Sequence, residues 1–125
     1  MKILIIDNDV STTTTLSALL KSKGDFIIDT AHDGQEGLNK MSVNDYDLVL
    51  LDIMMPKVSG YDVCQAMIGD EKLKNIPVFL MSSALPLPAD VFYKNLEDFS
   101  KFDLVKAVFE KPFNVDDLVD KINSL

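Results

Sequence analysis

Five short apolar runs punctuate the chain: ILII at 3–6, FII at 26–28, LVLL at 48–51, VFLM at 78–81 and VKAVF at 105–109. They are rich in Ile, Val and Leu and do not alternate with polar residues, the pattern of strands covered on both faces. Between them the apolar positions change to helical spacing. Leu16, Leu19 and Leu20 mark a first helix, Leu38 and Met41 a second, and Val63, Met67 and Ile68 a third. A stretch from Asp90 to Asp103 also reads as helix, with Phe92, Leu96 and Phe99 on one face as core or docking surface. In the last helix Val115, Leu118, Val119 and Ile122 recur at i, i+3, i+4 and i+7, behind Asn114 as N-cap and Asp117 at N3. Strand and helix alternating five times, with short connections such as Asp33-Gly34, predict an α/β fold: a doubly wound, five-stranded parallel sheet with five helices.

At 125 residues the chain has the size of one domain with a real core. Twenty acidic residues against 12 lysines and no arginine give a net charge of −8, which argues against nucleic acid or anionic membrane as a partner of this domain. The single cysteine, Cys64, excludes an internal disulfide and a cysteine zinc site, and reads as a small buried helix residue. The start MKILIID has no long apolar signal region, and no stretch approaches membrane-spanning length, so a cytoplasmic location is expected.

Ligands of doubly wound sheets gather at the carboxyl ends of the strands. Three polar clusters are predicted there, Asp7-Asn8-Asp9, Asp52 and Ser82-Ser83, with Lys111 just beyond the fifth strand. Within LIIDNDVSTTTT (4–15), Asp7-Asn8-Asp9 could deliver carboxylates to a cation or open an Asp-x-Asp phosphatase motif, and the hydroxyls from Ser11 to Thr15 could cradle a phosphate. Two carboxylates at neighbouring strand ends repel unless a cation separates them, and Mg2+ accepts such oxygen ligands while keeping several waters.

In order along almost the whole chain, ILIIDND, AHDGQEGL, YDLVLLDIMMPKVSGYDV, IPVFLMSSA and EKPFNVDDL resemble the response-regulator receiver domain, the CheY-like family with a flavodoxin-like fold. The block from Asp47 to Gly60 is the most specific of these, and the Lys-Pro dipeptide alone the least. The resemblance implies a two-component receiver over 1–125, without an output domain in this chain, that accepts a phosphoryl group from a histidine kinase or phosphotransfer protein. Asp52 would be the nucleophile, with Ser82 and Lys111 contacting the phosphoryl oxygens. Mg2+ would be held by Asp7, Asn8, Asp52 and the backbone carbonyl of Met54. A downstream protein target would be met through the predicted helix at 90–103 and the fifth strand. The implied chemistry is self-phosphorylation and self-dephosphorylation, not conventional turnover.

Two departures change the picture. Asn8 stands where the family usually places a second carboxylate, which predicts weakened Mg2+ binding at a working site, with Asp9 contributing through water. Ser82 and Lys111 are 29 positions apart, longer than the family pattern, ALPLP replaces a polar loop, the family's Gly-Ala before the fifth strand is missing, and Val108 takes a position often aromatic. Phe109 is then expected on the opposite face of the sheet. These departures keep open a receiver-shaped interaction module that is never phosphorylated.

LIIDNDVST also resembles the start of haloacid-dehalogenase-type phosphatases, with Asp7 as nucleophile and Asp9 as acid. That family needs a further acidic motif after the lysine, and Asp116 and Asp117 instead fit the first turn of a helix. A flavodoxin-like nucleotide site is opposed by the carboxylates beside the Thr run and by its lack of glycine, so Ser11 or Thr12 is expected as a helix cap. His32, the only histidine, is expected at the surface before the Asp33-Gly34 turn.

Overall fold

The computed structural model describes residues 1–83 and 102–125. Strands β1 (Lys2–Ile6), β2 (Ile27–Ala31), β3 (Leu48–Asp52), β4 (Val78–Ser83) and β5 (Val105–Lys111) form one sheet in the order β2-β1-β3-β4-β5, with every neighbouring pair parallel. Helices α1 (Val10–Lys23), α2 (Gly34–Val43), α3 (Gly60–Ile68) and α4 (Val115–Asn123) account for the helical part of the described residues. The fold is the doubly wound α/β sheet that the apolar pattern predicts. The stripe Phe92, Leu96 and Phe99 and the ALPLP segment lie outside the described residues. At the end of the stretch predicted helical, Phe102 and Asp103 already form the turn into β5.

Strand alternation sorts the core into two layers. On one face Leu4, Ile6, Val49, Leu51, Val78 and Leu80 pack under Met41 of α2 and Val63, Cys64 and Met67 of α3. On the other, Ile3, Ile5, Leu48, Leu50, Phe79 and Met81 pack under Leu16 and Leu20 of α1 and Leu118 and Ile122 of α4. The expectation of strands buried on both faces holds for the three central ones. The edge strands β2 and β5 have alternating or mixed burial, so β2 runs past the apolar run through Asp29 and Thr30, and β5 continues to Lys111. Phe109 joins the second layer, its ring 5.7 Å from that of Phe79 and 5.6 Å from that of Phe113, while Val108 on the opposite side is 44% exposed.

The caps correct one expectation and refine another. Helix α1 is capped by Asp9, whose side chain accepts from the Thr12 amide at 3.3 Å, and not by Ser11 or Thr12. An aspartate with an extended backbone immediately before the first helical residue meets the free amides directly. Asn114 caps α4 as expected, accepting from the Asp116 amide at 2.7 Å. His32, expected at the surface, is half-buried, with Nε2 3.2 Å from the Thr13 hydroxyl, and the Asp33-Gly34 pair after it opens α2. Cys64 is fully buried, and burial pushes its thiol up to about 12, so it is packing and not a nucleophile.

Candidate functional site

Parallel register places the polar residues at one end of the sheet. Ile6 pairs with Leu51, so the next residues, Asp7 just past β1 and Asp52 at the end of β3, stand side by side. Asp52 pairs with Met81, which puts Ser82 one step beyond it on β4, opposite Glu110. Asp7, Asp52 and Ser82 are all buried, at 0%, 4% and 4% exposure. Lys111, the last residue of β5, reaches back over the strand ends: Nζ lies 2.5 Å from Asp7 Oδ2 and 3.8 Å from Asp52 Oδ2. The structure thus brings Asp7, Asp52 and Lys111 together. Asn8, Asp9 and Met54 are exposed at the rim of the same end.

Backbone amides fix how the carboxylates present themselves. Asp7 Oδ1 accepts from the Asp9 amide at 3.0 Å, and Asp52 Oδ1 from the Met54 amide at 3.3 Å. The loop after Asp52 is shaped by Gly60, whose amide donates to the Ile53 carbonyl at 3.1 Å; a Cβ there would meet the Asp52 carbonyl oxygen at 2.7 Å. That contact explains why the MMPKVSG block ends in glycine. Lys57 in this loop holds φ 67°, a left-handed conformation that side chains other than glycine rarely adopt. Ser59 then starts α3 with a reciprocal cap: its hydroxyl accepts from the Asp62 amide, and Asp62 Oδ2 accepts from the Ser59 amide. The S-x-x-D spacing carries that signal in the sequence.

Two buried carboxylates share one ammonium, so negative charge is in excess. Burial, and after it the charge of Asp7, push the Asp52 carboxyl up to about 6, against the lowering effect of Lys111 and the Met54 amide. The donors at this end are carboxylate and amide oxygens, the set a hard cation prefers over a transition metal. Among the described residues no three His, Cys, Asp or Glu side chains converge on one point. Asn8 puts an amide where a carboxylate would stand, and Asp9 is engaged as the α1 cap. Asp9 is therefore a poor candidate for a phosphatase acid, and Asp116 and Asp117 sit in the first turn of α4, with Asp116 paired to Lys23 at 3.0 Å.

The profile of the response regulator receiver domain matches residues 3–123. This chain belongs to that family. It is 31% identical over its whole length to the cell cycle transcriptional regulator CtrA of Caulobacter vibrioides, of which it covers 50%. Over 66% of its length it is 39% identical to a CpxR homolog of Haemophilus influenzae, of which it covers 34%. The chain thus spans about half the length, or less, of these curated relatives. A response regulator receiver protein from Pseudomonas putida shares the fold with a TM-score of 0.87 at 18% identity, covering 99% of this chain and 96% of that one. Response regulator TrrA of Thermotoga maritima, solved in complex with Mg2+ and BeF, has a TM-score of 0.79 at 29% identity over 98% of this chain and 96% of its own. As a receiver, the chain is a component of two-component signalling. No helix among the described residues is long and apolar enough to cross a membrane.

Proposed function

We propose that this receiver accepts a phosphoryl group on Asp52 from a histidine kinase or phosphotransfer protein, in the cytoplasm, and that the modified domain changes its binding to a downstream protein. The observation that carries this reading is the Lys111 ammonium set over the two buried carboxylates Asp7 and Asp52 at the carboxyl end of the sheet. A carboxylate oxygen of Asp52 forms the new P–O bond as the P–N bond to the donor histidine breaks, and the departing imidazole takes up a proton. Lys111 moves its charge toward the incoming phosphoryl oxygens, and the Ser82 hydroxyl offers them a hydrogen bond. Asp7, Asn8, Asp52 and the Met54 carbonyl are the ligands proposed for Mg2+, which fits the all-oxygen donor set and the excess negative charge. Bound there, Mg2+ supplies positive charge against the transferring phosphoryl group.

The test is intact mass after incubation with acetyl phosphate and Mg2+. One added phosphoryl group in wild type and none in Asp52→Asn is expected, with chelator abolishing the gain. Equal labelling of both proteins, or of neither, removes Asp52 as acceptor and leaves the phosphorylation-independent interaction module.

A further inference from the structure

The only histidine of the chain stands beside this pocket without belonging to it. His32 follows the last residue of β2, whose carbonyl at Ala31 accepts from the Asp7 amide at 3.0 Å. Its ring is turned toward α1, where Nε2 lies 3.2 Å from Thr13 Oγ1. Thr13 is 1% exposed, and its hydroxyl proton goes to the Val10 carbonyl at 2.9 Å. A hydroxyl has one proton, so with it on the Val10 carbonyl Thr13 Oγ1 is an acceptor toward His32, which corresponds to the Nε2–H tautomer. On its other side the Thr13 amide donates to the Asp9 carbonyl at 3.1 Å, and the Asp9 amide in turn holds Asp7 Oδ1. The His32 backbone is itself fixed, its amide donating to Glu36 Oε2 at 3.0 Å in the first turn of α2.

We infer that His32 and Thr13 form a positioning pair: through the first turn of α1 they hold the Asp9 amide on Asp7, and so set the angle at which the Asp7 carboxylate is presented to a cation. The inference deepens the metal-binding reading above and rests on it for its Mg2+ consequence. The steps join through residues: the His32 contact fixes the Thr13 side chain, the Thr13 amide holds the Asp9 carbonyl, and the Asp9 amide holds Asp7, all at the first turn of α1. Partners that hydrogen-bond a metal ligand directly commonly change metal affinity by roughly tenfold or more when removed, because they fix its orientation; here that partner is the Asp9 amide, and Thr13 and His32 act on it from one and two residues behind.

The test compares Thr13→Val, which keeps the shape and loses the hydroxyl, with Thr13→Ser, which keeps the hydroxyl, and with His32→Phe. Ring 15N spectra of the wild type should show the Nε2–H tautomer, and Thr13→Val should remove that preference. Amide exchange at Asp9 should speed up in Thr13→Val and His32→Phe and return toward wild type in Thr13→Ser. The Mg2+ dissociation constant, read by titration, should rise in Thr13→Val and His32→Phe by less than the roughly tenfold loss of a direct partner, and little in Thr13→Ser. The two losses should not add in the double variant, because they break one route. Lower melting temperatures with unchanged Asp9 exchange and unchanged Mg2+ affinity would reduce the pair to ordinary packing and overturn the inference. A wild type that binds no Mg2+ would instead defeat the proposed function, and the Asp9 exchange rates then decide the positioning role alone.

Discussion

The two ends of the sheet are built from the same materials and differ in how far their charge is balanced. At the amino end, Lys2 of β1, Asp29 of β2 and the α2–β3 connection meet. The Tyr46 hydroxyl donates to Asp29 Oδ2 at 2.7 Å, the Lys2 amide to Asp47 Oδ2 at 2.7 Å, and Lys2 Nζ to Asn44 Oδ1 at 3.2 Å while lying 5.2 Å from the centre of the Tyr46 ring. Each carboxylate there has its own donor. Burial and the bond to Asp29 raise the Tyr46 phenol well above its ordinary value, so the proton stays where the structure uses it. At the carboxyl end each carboxylate also has a backbone amide, from Asp9 and Met54, but the two are buried and divide one lysine, and Asp52 is left near 6. Saturation marks a structural cluster. Unsatisfied charge marks a site that gains by binding something.

The largest expected effect follows from that imbalance. With its carboxyl at about 6 in the folded chain and 3.8 as the ordinary value, Asp52 binds more protons folded than unfolded between those pH values. Stability therefore falls as pH rises through about 4 to 6, and above that the cost is constant at about 3 kcal/mol. Denaturation in chelator should show Asp52→Asn more stable than wild type by up to that amount at pH 7, with the difference fading near pH 4. Excess Mg2+ should narrow the gap at pH 7. A gap that does not change with pH would mean that the carboxyl end is as well compensated as the amino end.

Tyr46→Phe probes the saturated end. It strips Asp29 of its phenol donor and should cost about 1–2 kcal/mol at neutral pH, with Asp52 labelling and Mg2+ affinity unchanged. An altered Mg2+ affinity would show that the two ends are coupled through β1 and end the contrast. A smaller effect distinguishes the loops. Lys57 is the one non-glycine residue with positive φ among the described residues, and it sits at the unsatisfied end. Lys57→Gly should raise stability by about 1 kcal/mol in thermal melts, since glycine adopts this conformation without the clash that an L side chain meets.

How much of this was legible in the sequence depended on whether the deciding contact was local. The three central strands announced themselves because burial on both faces demands unbroken apolar runs. The edge strands were clipped at the same criterion, since Asp29, Thr30, Glu110 and Lys111 are polar members of real strands with one open side. Strand ends and the family resemblance together nominated Asp7, Asp52, Ser82 and Lys111, and register brings the four to one end. The division of Lys111 between two carboxylates was not legible, being a matter of side-chain reach across several strands. The Asp9 cap is legible as an aspartate directly before the helix, beside the Ser11 and Thr12 hydroxyls that compete for the same role. Thr13 and His32 gave no local signal: 19 residues separate them, and only the packing of α1 beside the end of β2 makes them partners.

The smallest effect in stability, and the sharpest for the site, concerns Asn8. It is exposed between the buried Asp7 and the capping Asp9, so a carboxylate there stands partly in water. Asn8→Asp should lower stability in chelator only slightly, because repulsion from Asp7 and Asp52 is screened at an exposed position. Toward Mg2+ the same charge acts at ligand distance, where an added unit charge at an effective dielectric near 20 is worth on the order of a few kcal/mol before dehydration and repulsion are subtracted. A net tightening on the order of tenfold is expected, together with faster labelling by acetyl phosphate at limiting Mg2+. The change should also steepen the contrast between the ends, adding negative charge to the one already in excess, so Mg2+ should stabilise the variant against heat more than it stabilises wild type. Isothermal titration and paired melts with and without Mg2+ measure both. Unchanged affinity would place residue 8 outside the coordination sphere and leave Asp7, Asp52 and the Met54 carbonyl as the whole contribution of the protein to the metal.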